Sequence, residues 1–319
     1  MKPSPRLRLV ASGLSLALAL AACGDPVGSA NDELLVVATT SILGDIASQV
    51  VGDDGQVEVL IPIGVDAHDF APSAQQASLV ATADLVVANG LGLEESMVDV
   101  LDSAKADGAA VLELAPLVDP IPFVEPENHA EGEHEEGEEE HEHGDVDPHF
   151  WNDPIRVGDA ALALAASLEE ANPGGGWLAR AEAFADEMTA TDAAIEALVG
   201  DVPEESRRLV TNHEAFGYFA DRYGFELIGV VIPGGSTLAE PSSASLAELV
   251  EVMEHEGVRV IFAETSQPST LAEAVAAELG DDVQVVELFT ESLGSPGSGA
   301  ETIADMLLTN AERITTALG

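Results

Sequence analysis

The chain alternates short apolar runs with longer amphipathic stretches over most of its length. The apolar runs are continuous, which is typical of strands buried on both faces of a parallel sheet. They lie at residues 34–38, 57–61, 85–88, 110–112, 208–211, 226–231, 258–263 and 283–288. Predicted helices lie between them at residues 43–51, 73–83, 94–106, 214–223, 243–256, 270–279 and 301–318. The pattern predicts an α/β fold of two lobes, each a parallel sheet covered by helices.

A helical region separates the two series of strands. Residues 154–198 follow a helical period and are interrupted at residues 172–176, where Asn, Pro and three Gly occur in succession. The second half has no Gly or Pro, so it predicts one long, rigid helix joining the lobes. We place this linking helix within residues 173–202, the N-terminal lobe at 33–172 and the C-terminal lobe at 203–319.

The first residues have the features of a secretory signal. Lys2, Arg6 and Arg8 precede an apolar segment, residues 9–20, that is too short for a confident membrane span. We therefore predict a signal peptide at residues 1–22 and an extracytoplasmic location.

The predicted signal ends just before Cys23, the only cysteine of the chain, so no intramolecular disulfide is possible. The sequence Leu-Ala-Ala-Cys at residues 20–23 resembles the lipobox of bacterial lipoproteins, in which the cysteine is acylated. This implies a protein held at the cell membrane by a lipid anchor alone, with a tether at residues 23–32. The alternative is an ordinary signal peptide with an incidental cysteine.

The formal net charge is −48, with 59 Asp and Glu against 11 Lys and Arg. Such a field repels nucleic acid and anionic lipid surfaces and concentrates cations near the protein. Over most of the surface the charge has a simpler interpretation, which is solubility.

Residues 125–147 are rich in Asp and Glu and lack apolar periodicity. They also carry four histidines: His129, His134, His141 and His143. Because imidazole and carboxylate groups both bind metals, we predict a loop that collects metal ions weakly at several sites. A solvated acidic insertion with incidental histidines is the alternative.

Three histidines outside that segment lie at the ends of predicted elements. His68 follows the second predicted strand, His149 precedes the helical region, and His213 follows the fifth predicted strand. Ligands bind beyond the carboxyl ends of the strands in open α/β sheets, so these imidazoles can meet between the lobes. A lone histidine is more often structural, but three at such turns favour metal ligation. His255 lies on a predicted exposed helix and is assigned no such role.

Two stretches resemble the zinc/manganese class of ABC-transporter solute-binding lipoproteins. They are residues 147–154, with the sequence DPHFWNDP, and residues 213–220, with the sequence HEAFGYFA. The acidic His-rich segment precedes the first of them, and the resemblance extends over nearly all of the mature chain. It implies a metal site formed from both lobes, with the ligands His68, His149, His213 and a carboxylate near the C-terminus.

The fourth ligand is a point of departure from the family. Glu291 stands where the family usually has Asp, so either Glu291 or water completes the site. Ala67 replaces the usual proline before His68, which loosens that turn. Glu264 matches a segment lining the second lobe, where it either packs or supports a ligand. Imidazole tautomers could be held by Asp66, Asp147 or Glu214.

Three neutral imidazoles and one carboxylate suit four-coordinate Zn²⁺, and Mn²⁺ fits less well because it prefers oxygen. The resemblance therefore implies a monomeric receptor, not an enzyme, that captures Zn²⁺ and passes it to the membrane permease of an ABC importer. Binding should weaken as pH falls through about 6. One alternative is a zinc-dependent hydrolase, although no His-Glu-x-x-His run occurs and Glu291 would close the site. A surface adhesin is the other.

Overall fold

The computed structural model describes Met1, residues 34–124 and residues 146–319. Within these residues, eight strands form two four-stranded sheets in which all paired strands are parallel. The first sheet contains β1 (Leu34–Ala38), β2 (Gly55–Val59), β3 (Leu85–Ala88) and β4 (Val111–Glu113). The second contains β5 (Arg208–Thr211), β6 (Glu226–Val230), β7 (Val260–Glu264) and β8 (Gln284–Leu288).

Both sheets have the same strand order. It is β2-β1-β3-β4 in the first and β6-β5-β7-β8 in the second. The order reverses between β1 and β3, and again between β5 and β7. Loops leave such a switch point in opposite directions and open a crevice at the carboxyl edge of the sheet. Each sheet therefore offers one crevice for functional side chains.

Helices connect these strands and cover the sheets, which confirms the predicted fold class. They are α1 (Ser41–Val51), α2 (Ala74–Thr82), α3 (Val98–Ala106), α4 (Pro154–Ala171), α5 (Trp177–Val199), α6 (Gly217–Tyr223), α7 (Ser243–Glu256), α8 (Thr270–Leu279) and α9 (Ile303–Leu318). The start of α4 is fixed locally, because Asp153 accepts the Ile155 N–H at 2.9 Å and Pro154 occupies the first helical position.

The long helix α5 packs against α1, α4 and α9. A single hydrophobic core runs from the first sheet through these helices to one face of the second sheet, where α6 and α9 pack. A smaller core lies on the other face of the second sheet, under α7 and α8. Since the described residues from 34 onward belong to one compact unit, the lobe boundaries given above remain predictions.

Two details differ from the sequence prediction. The edge strand β2 is not buried, and Val59 is 42% exposed, because an edge strand has a neighbour on one side only. Helix α6 begins at Gly217 and not at Glu214, since a turn precedes it in which the Ala215 N–H donates to the His213 carbonyl at 2.9 Å. That turn positions His213.

The predicted signal peptide, Cys23, the tether and nearly all of the acidic His-rich segment, with His129, His134, His141 and His143, lie outside the described residues. Among the residues that are described, no helix has the length and apolar character needed to cross a membrane.

Candidate metal centre

Four predicted ligands meet between the two sheets. His68 lies in the loop after β2, and His149 lies just before a single 3-10 turn that leads into α4. His213 follows β5, and Glu291 follows β8. Their four ligand atoms all lie within 4.8 Å of one another, and each residue is at most 2% exposed. The fold thus gathers four donors that are spread along the sequence from residue 68 to residue 291.

The donor atoms surround Oε1 of Glu291. This oxygen lies 3.0 Å from Nε2 of His68, 3.1 Å from Nε2 of His213 and 3.7 Å from Nε2 of His149. The Nε2 atoms of His149 and His213 are 3.2 Å apart. Neither Oε1 of Glu291 nor Nε2 of His68 has a hydrogen bond of good geometry among the described residues.

Four of the six separations among these atoms, 3.0 to 3.7 Å, are close to the edge of a tetrahedron around one ion. Four donors at about 2.0 Å from a central Zn²⁺ lie about 3.3 Å from one another by simple geometry. Buried polar atoms are normally paired, so two facing atoms without a hydrogen bond indicate a missing partner between them. The four residues therefore fit a metal ion.

A carboxylate holds the other ring nitrogen of each histidine. Nδ1 of His68 lies 3.1 Å from Oε1 of Glu95, and Nδ1 of His149 lies 2.7 Å from Oδ1 of Asp147. Nδ1 of His213 contacts Oε1 of Glu264. A proton on each Nδ1 donates to its carboxylate, which leaves the Nε2 lone pairs directed at the centre.

Of the three carboxylates suggested from sequence to hold an imidazole, only Asp147 does so. Asp66 instead accepts the backbone N–H of His68 at 2.8 Å. Glu214 accepts the backbone N–H of Gly234 at 3.2 Å. Sequence reasoning missed Glu95, although its position just past β3, at the switch point, was an available signal.

The sequence left the role of Glu264 open between packing and support of a ligand, and its contact with Nδ1 of His213 favours support. It is the last residue of β7, the neighbour of β5. His213 follows β5, so adjacent parallel strands bring the two residues to the same edge of the sheet. Glu264 is 2% exposed. It contacts Nδ1 of His213 and is not one of the four residues whose ligand atoms meet at the centre.

The turn around His149 is fixed from both sides. Asp147 also accepts the His149 backbone N–H at 2.8 Å, and the Tyr218 hydroxyl donates to the Asp147 carbonyl at 2.9 Å. A Cβ on Gly217 would lie 2.5 Å from Oδ2 of Asp147. A side chain at position 217 would therefore press on the carboxylate that holds His149.

Hydrogen bonds cross between the two halves around the centre. The Trp151 indole donates to the Thr290 carbonyl at 2.7 Å, and the Asn152 amide donates to the Ala215 carbonyl at 2.8 Å. Thr237 donates its hydroxyl to Oδ2 of Asp66 at 2.5 Å. The buried ligands are thus enclosed by contacts that must open before an ion can enter or leave.

The metal-free site retains protons. Burial lowers the pKa of His68, but the negative charge of Glu291 and the close contacts with Glu291 and Glu95 outweigh it and raise this pKa to about 10. Burial likewise opposes protonation of His213, while Glu264 and Glu291 raise its pKa well above the usual value. Glu291 has a pKa held well below its ordinary value, since the histidines outweigh the effect of its burial. Without metal, imidazolium groups therefore neutralise Glu291.

Known proteins match this chain over nearly all of its length. The family model of ZnuA, described as zinc-uptake complex component A, periplasmic, matches residues 36–317. The manganese-binding lipoprotein MntA of Bacillus subtilis (strain 168) is 31% identical over 324 residues, covering 98% of this chain and 99% of that protein. The zinc-binding protein TroA of Treponema pallidum (strain Nichols) is 30% identical over 306 residues, covering 93% and 92%.

Solved structures share the fold. The periplasmic zinc-binding protein TroA from Treponema pallidum has a TM-score of 0.78 at 28% identity, covering 90% of this chain and 99% of that one. A mutant structure of the laminin-binding adhesin Lmb from Streptococcus agalactiae has a TM-score of 0.73 at 25% identity, covering 89% and 99%. The resemblance seen in the sequence motifs is confirmed. The chain belongs to the family of zinc-uptake complex component A, the periplasmic metal-binding components of ABC importers.

Proposed function

We propose that this protein captures Zn²⁺ outside the cytoplasm with His68, His149, His213 and Glu291 and delivers it to its permease. The observation that carries the proposal is the spacing of the four buried donor atoms, with separations of 3.0 to 3.7 Å around Oε1 of Glu291. An ion at their centre would replace the protons that the metal-free site retains.

The donor set supports Zn²⁺ as the cargo. Relatives are named for manganese as well as for zinc, so their names do not decide between the metals. Here three nitrogens accompany one carboxylate. Mn²⁺ lies lowest in the divalent affinity order and favours oxygen, whereas Zn²⁺ binds imidazole well and adopts four-coordination.

The burial of the site favours capture over hydrolysis. A hydrolytic zinc site keeps one position open for water and admits a substrate. Here Glu291 would occupy the fourth position, and all four donors are buried. The burial of this site does not bear on adhesion, which uses surface residues elsewhere.

The lipid anchor is a further part of the proposal. The sequence Leu-Ala-Ala-Cys ending at Cys23 supports it, and the Bacillus subtilis relative is named a lipoprotein. Mass spectrometry of the membrane-associated protein tests it, and an unmodified Cys23 would refute it.

Elemental analysis and competitive titration of the purified protein test the proposed cargo. We expect one tightly bound Zn²⁺ that survives competition by Mn²⁺. Equal or tighter binding of Mn²⁺ would overturn the assignment, and zinc-dependent ester or peptide hydrolysis would favour the enzyme.

Glu264→Ala should lower Zn²⁺ affinity about 10- to 100-fold, the usual effect of removing a carboxylate that orients a metal-bound histidine. The substitution leaves Nδ1 of His213 without its partner, so the ring no longer has a fixed tautomer. Competitive titration with a zinc chelator measures the change. The matched control is Glu248→Ala, at an exposed position of α7, which should have no effect. Unchanged affinity in Glu264→Ala would show that Glu264 only packs.

Zn²⁺ affinity should rise at least tenfold per pH unit between pH 6 and 8. The pKa of His68 is raised to about 10, so the imidazole carries a proton throughout this range and Zn²⁺ must displace it. One displaced proton corresponds to a tenfold change per unit. Affinity measured at three pH values, with proton release followed by calorimetry in buffers of different ionisation enthalpy, tests this.

The same measurement distinguishes a histidine with a raised pKa from one with an ordinary pKa, because the two give different pH dependences of Zn²⁺ affinity. A histidine with a pKa near 6.5 is already neutral above pH 7, so affinity would then level off. A plateau between pH 7 and 8 would show that the metal-free site is not protonated as inferred here.

A further inference from the structure

The two carboxylate oxygens of Glu291 have different partners. Oε1 faces the three Nε2 atoms, and no hydrogen bond of good geometry reaches it from the described residues. Oε2 accepts the backbone N–H of Ala67 at 3.1 Å. Ala67 is fully buried and Glu291 nearly so, so water does not compete for this bond. One oxygen of Glu291 thus faces the centre, whereas the other is hydrogen-bonded to Ala67.

The Ala67 N–H is held in place by its own turn. The next N–H along the chain, that of His68, donates to Oδ1 of Asp66 at 2.8 Å. Three residues before Ala67, the Gly64 N–H donates to Oγ of Ser292 at 2.7 Å. Two backbone N–H groups of the loop after β2 therefore bind consecutive residues of the loop after β8, Glu291 and Ser292. This double contact fixes where the carboxylate sits.

We propose that the Ala67 N–H makes Glu291 a one-oxygen ligand and thereby sets the coordination number of the site at four. The inference rests on the proposed function. A hydrogen bond from an N–H to a carboxylate oxygen is charge-assisted, so it holds Oε2 at Ala67 and opposes rotation of that oxygen toward the metal. Four-coordination suits Zn²⁺, whereas a two-oxygen carboxylate would supply the extra oxygen that favours Mn²⁺. Ala67 is in this sense a specificity-determining residue.

Ala67→Pro tests the proposal because proline has no N–H to donate. Ala67→Gly is the matched control, since it removes the methyl group and keeps the N–H. We expect the ratio of Zn²⁺ to Mn²⁺ affinity to fall about tenfold in Ala67→Pro, the effect of losing a hydrogen bond to a charged group, and to stay unchanged in Ala67→Gly. X-ray absorption of the zinc-loaded proteins should show a coordination number of four that rises in Ala67→Pro.

A second substitution separates loss of the hydrogen bond from general disturbance of the turn. Glu291→Asp shortens the side chain and withdraws the carboxylate from Ala67. If the N–H acts through Oε2, the effect of Ala67→Pro on the metal ratio should vanish when Asp is present at position 291. An equal effect in both backgrounds would overturn the proposal.

The wild type gives an independent outcome if Ala67→Pro does not fold. A coordination number of four with Zn²⁺ supports the one-oxygen ligand, and five would overturn it. Failure of the proposed function would look different from failure of this inference. In that case the wild type would bind no Zn²⁺ tightly, or its Zn²⁺ affinity would not change when His68 is replaced. A four-coordinate zinc site whose metal ratio is the same in Ala67→Pro would refute only the role of Ala67.

Discussion

Replacing His213 by Ala is expected to weaken Zn²⁺ binding at least a hundredfold. Structural zinc sites bind with apparent free energies of ~10–16 kcal/mol, so one of four ligands accounts for about 3 kcal/mol. Every 1.4 kcal/mol is roughly a tenfold change in affinity. Competitive titration against a chelator measures the loss, and a thermal melt of the metal-free protein shows whether the variant is folded.

His255→Ala is the matched control for this prediction. Its side chain is 84% exposed at the end of α7 and contacts Glu256, so its loss should leave Zn²⁺ affinity unchanged. If His213→Ala binds Zn²⁺ as tightly as the wild type, the assignment of the site is wrong.

Exchanging nitrogen for oxygen at the same position tests the metal preference. His213→Glu should narrow the gap between Zn²⁺ and Mn²⁺. Glu264 contacts Nδ1 of His213, so a carboxylate at position 213 would meet a second carboxylate and be repelled. The clearer variant is therefore His213→Glu combined with Glu264→Gln, and an unchanged metal ratio in it would contradict the argument from donor type.

Replacing Glu291 by Gln is expected to lower Zn²⁺ affinity by a hundredfold or more and to return His68 to an ordinary pKa. Burial alone lowers the pKa of His68, and the charge of Glu291 is the first of the effects that raise it to about 10. Without that charge, the metal-free imidazole should lose its proton near or below its usual value of about 6.5. An NMR titration of the histidine ring protons follows this change directly.

This experiment also decides what completes the metal shell. Glu287→Gln, at an exposed position of β8, is the control and should change neither affinity nor the His68 titration. Wild-type zinc affinity in Glu291→Gln would show that water, and not Glu291, is the fourth ligand. A His68 that still titrates near pH 10 would show that Glu291 does not hold its proton.

Local patterns in the sequence were sufficient to predict the order of strands and helices and to single out three histidines as candidate ligands. Continuous apolar runs specify strands buried inside a parallel sheet, and their alternation with helices specifies the α/β class. His213 could be placed because it follows a strand directly, where an open α/β sheet binds its ligands. These signals lie within a few residues of one another, so they can be read along the chain. The predicted start of α6 was wrong, because the turn that holds His213 comes first and the helix begins only at Gly217.

The contacts that tune the site required the tertiary structure. The partners of His68 and His213 at Nδ1 are 27 and 51 positions away in the sequence, and the Ala67 N–H is 224 positions from the oxygen it binds. No period or motif links residues over such distances. Their meeting depends on which strands are neighbours and on how two sheets face each other across a shared core. The sequence by itself determined which donor atoms this protein has, whereas the fold decided which of them point at one another, because only packing brings distant loops to a common centre.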